Sequence, residues 1–193
     1  NYMQRVVRHR NDSAFVENVM FIGHDPNSFR LQSNGEKNPD KNIFFIEVNG
    51  AMGAMYRYML YALWEAECLG FIPVIKFHNN CIYREEHPVD GTNNAFEYYF
   101  SQPAGITLSE MYESKRVFSF ELPHLARIEY DLGNLNPDSP AGYVVNEKYL
   151  TTLAEIARKY LHLNQKTKSF FESSFHKIFP QGDSGKKVLG VHI

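Results

Sequence analysis

Residues 43–77 read IFFIEVNGAMGAMYRYMLYALWEAECLGFIPVIKF, and this stretch decides the fold class. Two apolar runs rich in β-branched and aromatic residues, at 43–48 and 71–77, predict strands. Between them, apolar residues recur at spacings of one, three and four, which predicts a helix over 52–69 that stops at Gly70. A strand, a helix and a strand in this order predict a right-handed crossover between parallel strands.

Further elements are predicted on both sides of this unit. Residues 29–31 and 117–120 predict short strands, and Thr107 with Glu110 has the spacing of a capping box at the start of a short helix. Residues 78–105 form a long polar and aromatic connection. A connection of that length is usually functional or disordered, and its aromatic side chains argue against disorder.

Two helices are predicted in the C-terminal part of the chain. Asn146 is expected to cap the first, which extends to about Asn164, and the second covers about 165–179. The apolar spacing of the second helix predicts a buried side formed by Phe170, Phe171, Phe175, Ile178 and Phe179. A turn-rich linker at 180–185 then leads to a predicted strand at 188–193, which stops without a turn residue after it.

The composition fits a globular α/β domain and excludes some classes of partner. The chain has 193 residues, of which 44% are hydrophobic and 22% charged, so it can bury a core without disulfides. A net charge of −2 gives no broad electrostatic footprint for nucleic acid or an anionic membrane. No apolar run approaches the roughly 20 residues of a membrane span. Two cysteines, Cys68 and Cys81, are too few for a disulfide framework, which predicts a reducing, cytoplasmic location.

The first candidate for chemistry is the corner between the first strand of this unit and its helix, Asn49-Gly50-Ala51-Met52-Gly53. Two glycines three residues apart at a helix start let backbone N–H groups approach a phosphate or a sugar. The corner lacks both the G-x-G-x-x-G spacing of a dinucleotide site and the lysine of a P-loop. The alternative interpretation is a tight turn with close packing of the helix on the sheet.

The long connection holds a second candidate. Residues 85–87 (Glu-Glu-His) and Glu97 are side chains that can act as acid or base, although a solvated charged loop is the simpler interpretation. A metal site is not predicted, because His78, Cys81 and His87 match no standard zinc spacing and no Asp-x-Asp is present.

Three stretches in this order resemble a known family. They are the corner at 49–53 with its helix and the following Gly70-Phe71-Ile72-Pro73-Val74, the loop HPVDGTNNAFEYYF at 87–100, and VLGVHI at 188–193. Together they resemble the α-1,6 and protein-O fucosyltransferases, the loop being similar to one in bacterial relatives. The resemblance covers about residues 40–193.

The resemblance implies a two-lobe GT-B architecture, of which this chain is the N-terminal half. The expected fold is a Rossmann-like, three-layer α/β lobe with a mainly parallel sheet. The expected division is an N-terminal extension at 1–40, the lobe at 41–185, and the first strand of a truncated, donor-binding C-terminal lobe at 186–193.

The implied activity is inverting transfer of fucose from GDP-fucose to a glycan or surface polysaccharide, without an obligatory metal or other cofactor. By resemblance, Gly50 and Gly53 face the donor phosphates and the acceptor, and His192 begins the donor motif. The arginine that binds the β-phosphate and stabilises the leaving group is expected directly after Ile193, so that the fragment alone lacks turnover. No catalytic residue is therefore assigned within the chain.

Other expectations stay open beside this one. Asn49 is counted with the corner, and Glu97 with the loop, as candidate donor- or acceptor-binding residues. Arg57, one turn into the helix, could reach the cleft, with a surface role as the alternative. Ala54 replaces the asparagine of the protein-O enzymes, which favours the bacterial, polysaccharide-directed branch. The functional alternatives are a non-catalytic module that binds a nucleotide, a sugar or a protein, and a glycosyltransferase that uses another nucleotide sugar.

Overall fold

The computed structural model describes residues 29–50, 52–120 and 147–179. Along these residues the elements are β1 (Phe29–Gln32), β2 (Ile43–Val48), α1 (Met52–Leu69), β3 (Ile72–Phe77), α2 (Leu108–Tyr112), β4 (Val117–Phe120), α3 (Glu147–Tyr160) and α4 (Gln165–Ile178). The strand–helix–strand unit predicted at 43–77 is therefore confirmed. The predicted cap at Asn146, the linker at 180–185 and the strand at 188–193, with His192, lie outside the described residues.

The strands form one open, mostly parallel sheet in the order β1-β4-β2-β3. β2 pairs in parallel with β3 on one side and with β4 on the other, whereas β1 pairs with β4 in antiparallel fashion. β1 lies within the stretch predicted as an N-terminal extension, and it contributes an edge strand to the sheet of the lobe. The coarse prediction, a mixed α/β domain with a mainly parallel sheet, is confirmed.

Helices cover both faces of the sheet because the strand side chains alternate between two apolar clusters. On one face, Phe44, Ile46, Ile75 and Phe118 pack with the buried side of α1. On the other face lies a smaller cluster formed by Ile43, Val74, Ile106, Met111 and Val117, to which α2 contributes. In the sheet, β3 lies on one side of β2 and β4 on the other, so the two crossovers run in opposite directions across the sheet. Because both crossovers are right-handed, α1 and α2 must lie on opposite faces.

α1 is buried along one continuous stripe, as its apolar spacing predicts. Met55, Met59, Leu63 and Ala66 are fully inaccessible to solvent. The helix ends at Gly70, whose φ of +65° is favourable for glycine. There the N–H of Gly70 donates to the carbonyl of residue 67 and that of residue 71 to the carbonyl of Ala66, as in a Schellman motif.

α3 is fixed to α1 by an ion pair and an aromatic side chain. Lys159 Nζ donates to both carboxylate oxygens of Glu67 at 2.6 Å, and the hydroxyl of Tyr160 donates to the same carboxylate. These hydrogen bonds, first that of Lys159 and then that of Tyr160, lower the pKa of Glu67 below its ordinary value. Ile156 and Tyr160 also extend the α1 cluster, so α3 forms a further layer outside α1.

The prediction of a buried apolar side on α4 is wrong. Phe170, Phe171 and Ile178 are 72%, 61% and 69% exposed, while Phe175 and Phe179 are half-buried. The contacts that the structure gives for the start of this helix are polar, since Asn164 Oδ1 accepts a hydrogen bond from the N–H of residue 167; apolar spacing alone does not specify what covers a stripe. The phenylalanines pack mainly on one another, with Phe175 lying 4.9 Å from Phe179 between ring centroids.

The first C-terminal helix is also shorter than predicted. α3 ends at Tyr160, and Asn164, which was expected to end that helix, instead caps α4. Asn164 has an extended backbone (φ −66°, ψ 162°), the conformation that an N-cap residue adopts. A residue with this extended backbone cannot continue a helix, so α3 cannot extend through Asn164.

Candidate functional site

The carboxyl ends of β2, β3 and β4 lie at one edge of the sheet, because these strands run parallel. In open α/β sheets, ligands bind at this edge, next to the point where connections leave toward opposite faces. Here α1 follows β2 on one face, and the connection after β3 passes to the other. Two features occupy this edge: the glycine corner at 49–53 and a polar cleft beside β3.

The corner contains a turn that requires glycine at its first position. Gly50 has a φ of +125°, and its N–H donates to Asn49 Oδ1 at 2.9 Å. Gly53 differs, since it is exposed and a Cβ added there would meet no atom within 4 Å. Close packing of α1 on the sheet therefore explains neither its presence nor its position. The turn part of the simpler interpretation is supported at Gly50, and the packing part is not supported at Gly53.

The cleft has a volume of about 630 Å³ and lies on the face covered by α2. Its walls are the end of β3 at Lys76, the loop from Gly91 to Gln102, the first turn of α2, and Asn164. Glu97, predicted as a binding residue, lines this cleft. Asn49, Gly50, Gly53 and Arg57 are not among its lining residues.

A tight turn sets the start of the cleft loop. Asp90 and Gly91 both have positive φ, 51° and 83°. Val89 and Thr92 exchange two backbone hydrogen bonds of 3.0 Å across them, as expected of a type I′ turn. The turn places the hydroxyl of Thr92 at the cleft, where it donates to Glu97 Oε2 at 2.6 Å.

Two side-chain amides bind the cleft loop to the open edge of β3. Gln102 Oε1 accepts from the N–H of Ile75 at 2.9 Å, and Gln102 Nε2 donates to the carbonyl of Ile75 at 2.8 Å. Asn94, which is buried, accepts from the N–H of Phe77 at 3.0 Å and donates to the Ile75 carbonyl at 2.9 Å. The long connection is therefore ordered by replacing a neighbouring strand with amide groups.

Glu97 is held by neutral donors on both carboxylate oxygens. In addition to the bond from Thr92, Gln102 Nε2 donates to Glu97 Oε1 at 2.7 Å. The backbone carbonyl of Glu97 accepts from Asn164 Nδ2 at 2.9 Å. Within the described ranges this carboxylate has no cationic partner, so its negative charge is exposed to the cleft.

Lys76 and Glu47 form an ion pair where β3 and β2 end. The two residues are directly paired in the sheet register, and Lys76 Nζ lies 2.8 Å from Glu47 Oε1. Burial acts to lower the pKa of Lys76, but hydrogen bonding and charge attraction from Glu47, with a smaller contribution from Tyr112, outweigh it and raise that pKa. Lys76 thus stays protonated, and its charge is neutralised locally by Glu47.

The other acidic and aromatic residues of the loop lie elsewhere. Residues 85–87 are exposed and do not line the cleft. Phe96 is buried against Phe77 and stacks on Phe100, with ring centroids 5.6 Å and 5.2 Å apart. The aromatic content of the loop therefore serves the core more than the surface. Arg57 is half-buried on α1, with its guanidinium 5.4 Å from the Tyr58 ring centroid.

The sequence interpretation missed Lys76, Thr92, Asn94 and Gln102 as parts of the site. One signal was available: Glu47 and Lys76 carry opposite charges at equivalent positions near the ends of two predicted parallel strands. The Asp-Gly dipeptide at 90–91 is a second signal, since it favours the tight turn that orients Thr92. No local pattern marks the two amides, because their partners lie on a strand that precedes them in the chain.

Protein-family models, curated proteins and solved structures give no match to this chain. Among the residues that the structure describes, no helix has the length and apolar character needed to cross a bilayer. The same residues bring no three His, Cys, Asp or Glu side chains into an arrangement that could hold a metal ion. Among the described residues, the carboxyl edge offers backbone N–H groups, side-chain amides, the Lys76–Glu47 ion pair and the Glu97 carboxylate.

Proposed function

We propose that this chain is the acceptor-side lobe of an inverting glycosyltransferase of the fucosyltransferase type, within a two-lobe GT-B enzyme. GDP-fucose is the proposed donor, and a cytoplasmic surface-polysaccharide precursor is the proposed acceptor. The observation that carries the proposal is the position of the glycine corner and the polar cleft at the same carboxyl edge of a parallel sheet. The resemblance at 49–53, 87–100 and 188–193 adds to it.

The proposed roles follow from the chemistry of each part. Backbone N–H groups at the start of α1, an 18-residue helix, can approach the donor diphosphate, since Gly53 is exposed and a Cβ added there would meet no atom within 4 Å. In the transfer, an acceptor oxygen bonds to C1 of the sugar while the bond from C1 to the phosphate oxygen breaks. The nucleoside diphosphate leaves, and the acceptor hydroxyl loses its proton to solvent. The arginine expected after Ile193 would stabilise the departing phosphate.

A matched pair of substitutions at Gly53 tests the donor role. Gly53→Asp places a negative charge at the helix start, and Gly53→Asn places a neutral side chain of similar size into the same open space. In the two-lobe protein that contains this chain, we expect the aspartate variant to show a KM for GDP-fucose at least about 10-fold above that of the asparagine variant. Equal KM values for the two variants would contradict a phosphate at this corner.

The donor itself is tested by comparing nucleotide sugars. Release of free nucleotide and transfer to polysaccharide fragments are measured with GDP-fucose, GDP-mannose and UDP-glucose in parallel. Turnover with GDP-fucose above the other two supports the proposal, and turnover with another donor assigns a different glycosyltransferase. Failure of all three donors, with intact folding, would overturn the enzyme proposal.

One observation favours a second candidate function, a non-catalytic module that binds a sugar or a nucleotide. Both oxygens of Glu97 are engaged by neutral donors, and the acidic residues at 85–87 lie away from the cleft. The described part of the cleft therefore offers a binding carboxylate more readily than a free general base. Sugar binding without turnover by the two-lobe protein would select this function.

A further inference from the structure

We propose that the cleft beside β3 binds an uncharged carbohydrate and discriminates against anionic sugars. The inference rests on the proposed function where it identifies this carbohydrate as the acceptor, but the binding and its charge selectivity stand on the cleft itself. The cleft is on the face covered by α2, whereas the glycine corner opens onto the face covered by α1. The two features can therefore hold two different ligands at one edge of the sheet.

The charges of the cleft determine which ligands it accepts. Among the described lining residues Lys76 carries the positive charge, and Glu47 neutralises it with Oε1 2.8 Å from Lys76 Nζ. The Glu97 carboxylate lines the cleft, and its described partners, Thr92 and Gln102, are neutral and bring no compensating positive charge. A phosphate or carboxylate bound beside Glu97 would meet a like charge without a described cation to compensate it, which opposes binding.

The remaining polar groups suit hydroxyls. A carboxylate offers about four acceptor positions, so Glu97 can accept further hydrogen bonds beyond the two it has. Asn79 and Asn93 are exposed amides on the lining and can both donate and accept. Phe100 and Tyr112 give the cleft apolar wall area against which a sugar ring can lie. This combination of amides, a carboxylate and ring faces matches a polyhydroxylated, uncharged ligand.

The size and rigidity of the cleft fit a small sugar. A volume of about 630 Å³ lies within the roughly 300–1,000 Å³ of small-molecule sites. The loop is fixed at its far side as well, since the N–H of Ser101 donates to the carbonyl of His162 at 2.9 Å and Asn164 donates to the carbonyls of Glu97 and Tyr98. A preformed wall lowers the entropy cost of binding a ligand.

The test is a titration of the full chain, followed by amide chemical shifts in NMR, with matched sets of sugars. Each set contains a neutral hexose, its uronic acid and its 6-phosphate, for glucose, galactose and mannose. We expect at least one neutral hexose to shift the amides of Thr92, Glu97, Gln102 and Ser109, and to bind at least about 10-fold more tightly than its two anionic forms. Equal or tighter binding of the anionic forms would overturn the proposal, as would an absence of shifts at these amides with every set.

Variants decide whether Glu97 sets the selectivity. Glu97→Gln removes the charge and should bring the neutral and anionic affinities to within about 3-fold of each other. Asn93→Lys adds a positive charge at the exposed rim and leaves the hydrogen bonds of Glu97 in place. It should likewise reduce the ratio of the neutral-sugar affinity to the anionic-sugar affinity. If Glu97→Gln fails to fold, the Asn93→Lys variant decides whether charge at the cleft sets the selectivity. Glu86→Gln, the same change at an exposed residue off the cleft, should leave the ratio unchanged.

These outcomes are separable from those of the transferase proposal. Neutral sugars that bind the cleft of a protein inactive with every nucleotide sugar would retain this inference and remove the enzyme. Transfer from GDP-fucose with no sugar shifting the cleft amides would retain the enzyme and remove the cleft as its acceptor site.

Discussion

The glycine corner and the cleft occupy the same edge of the sheet but are built in opposite ways. The corner is local: Asn49, Gly50 and Gly53 lie within five consecutive residues, and one turn and one helix start define it. The cleft is assembled from β3, a loop, α2 and Asn164, which lie far apart in the sequence. A local motif is visible in the sequence before its purpose is known, whereas an assembled site becomes visible once the chain is folded.

The largest effect is expected where the cleft wall is anchored. Asn94→Ala removes the acceptor of the Phe77 N–H and one donor to the Ile75 carbonyl. Asn94 is buried, so its removal leaves the Phe77 N–H without this acceptor in a place away from water. We therefore expect the free energy of unfolding to fall by about 2–3 kcal/mol. Urea denaturation measures it. Asn93→Ala, at the exposed neighbour, should change the stability by less than about 0.5 kcal/mol, and equal losses would show that the amide of Asn94 is not the anchor.

A substitution at Gly50, the first glycine of the corner, is expected to destabilise the folded chain. Gly50→Ala puts a side chain on a backbone with φ of +125°, which should cost about 1–3 kcal/mol. Thermal and urea unfolding both report the loss. A variant as stable as the original chain would mean that the corner relaxes easily, and it would weaken the description of this segment as a fixed turn.

A substitution at Gly53, the second glycine of the corner, is expected to stabilise the folded chain. Gly53→Ala adds a methyl group into open space at the start of α1 and lowers the backbone entropy of the unfolded chain. We expect a gain of about 0.5–1 kcal/mol in the free energy of unfolding. A loss instead of a gain would indicate that the corner is packed after all, and the contrast between the two glycines would disappear.

A similarly small effect is expected on the pH dependence of stability, through the Lys76–Glu47 ion pair where β3 and β2 end. The folded-state pKa of Lys76 is raised above its ordinary value of 10.5, despite the burial that acts against it. The stabilisation is therefore fully present below about pH 10 and is lost as the pH rises through the folded-state pKa. The side chains of Lys76 and Glu47 are 17% and 34% exposed, so we expect their ion pair to stabilise the folded state by about 0.5–1 kcal/mol.

Glu47→Gln provides the control for this pH dependence. The variant should unfold with a smaller loss of stability between about pH 9 and about pH 12 than the original chain shows. Unfolding by urea at several pH values in this range measures the difference. Identical slopes in the two proteins would mean that Lys76 gains nothing from Glu47 in the folded state.

The predictable part of the fold is the part with local causes. Periodicity locates β2, α1 and β3, and Gly70 and Thr107 end or begin helices through hydrogen bonds within a few residues. The order of the strands, with β4 inserted beside β2 and β1 at the edge, depends on pairing between distant segments. Such pairing leaves no signature in any short stretch of the chain.

The apolar face of α4 shows another limit of prediction from local sequence. The spacing of its phenylalanines predicts a stripe correctly, but a stripe does not specify what covers it. In α1 the stripe meets the sheet, while in α4 the helix is held by polar contacts at its first turn and leaves Phe170 and Phe171 largely exposed. At the cleft, Glu97 could be predicted as a polar residue in a long loop, but its partners could not.

The amide groups on β3 also determine how this sheet can grow. Edge strands are where unrelated chains add to a sheet and begin to aggregate. Along β3, Pro73 has no N–H, and Gln102 and Asn94 already bind the N–H and carbonyl of Ile75 and the N–H of Phe77. These side-chain hydrogen bonds compete with any strand that would pair with β3. A chain that adds to this margin of the sheet would therefore first have to displace Gln102 and Asn94 from β3.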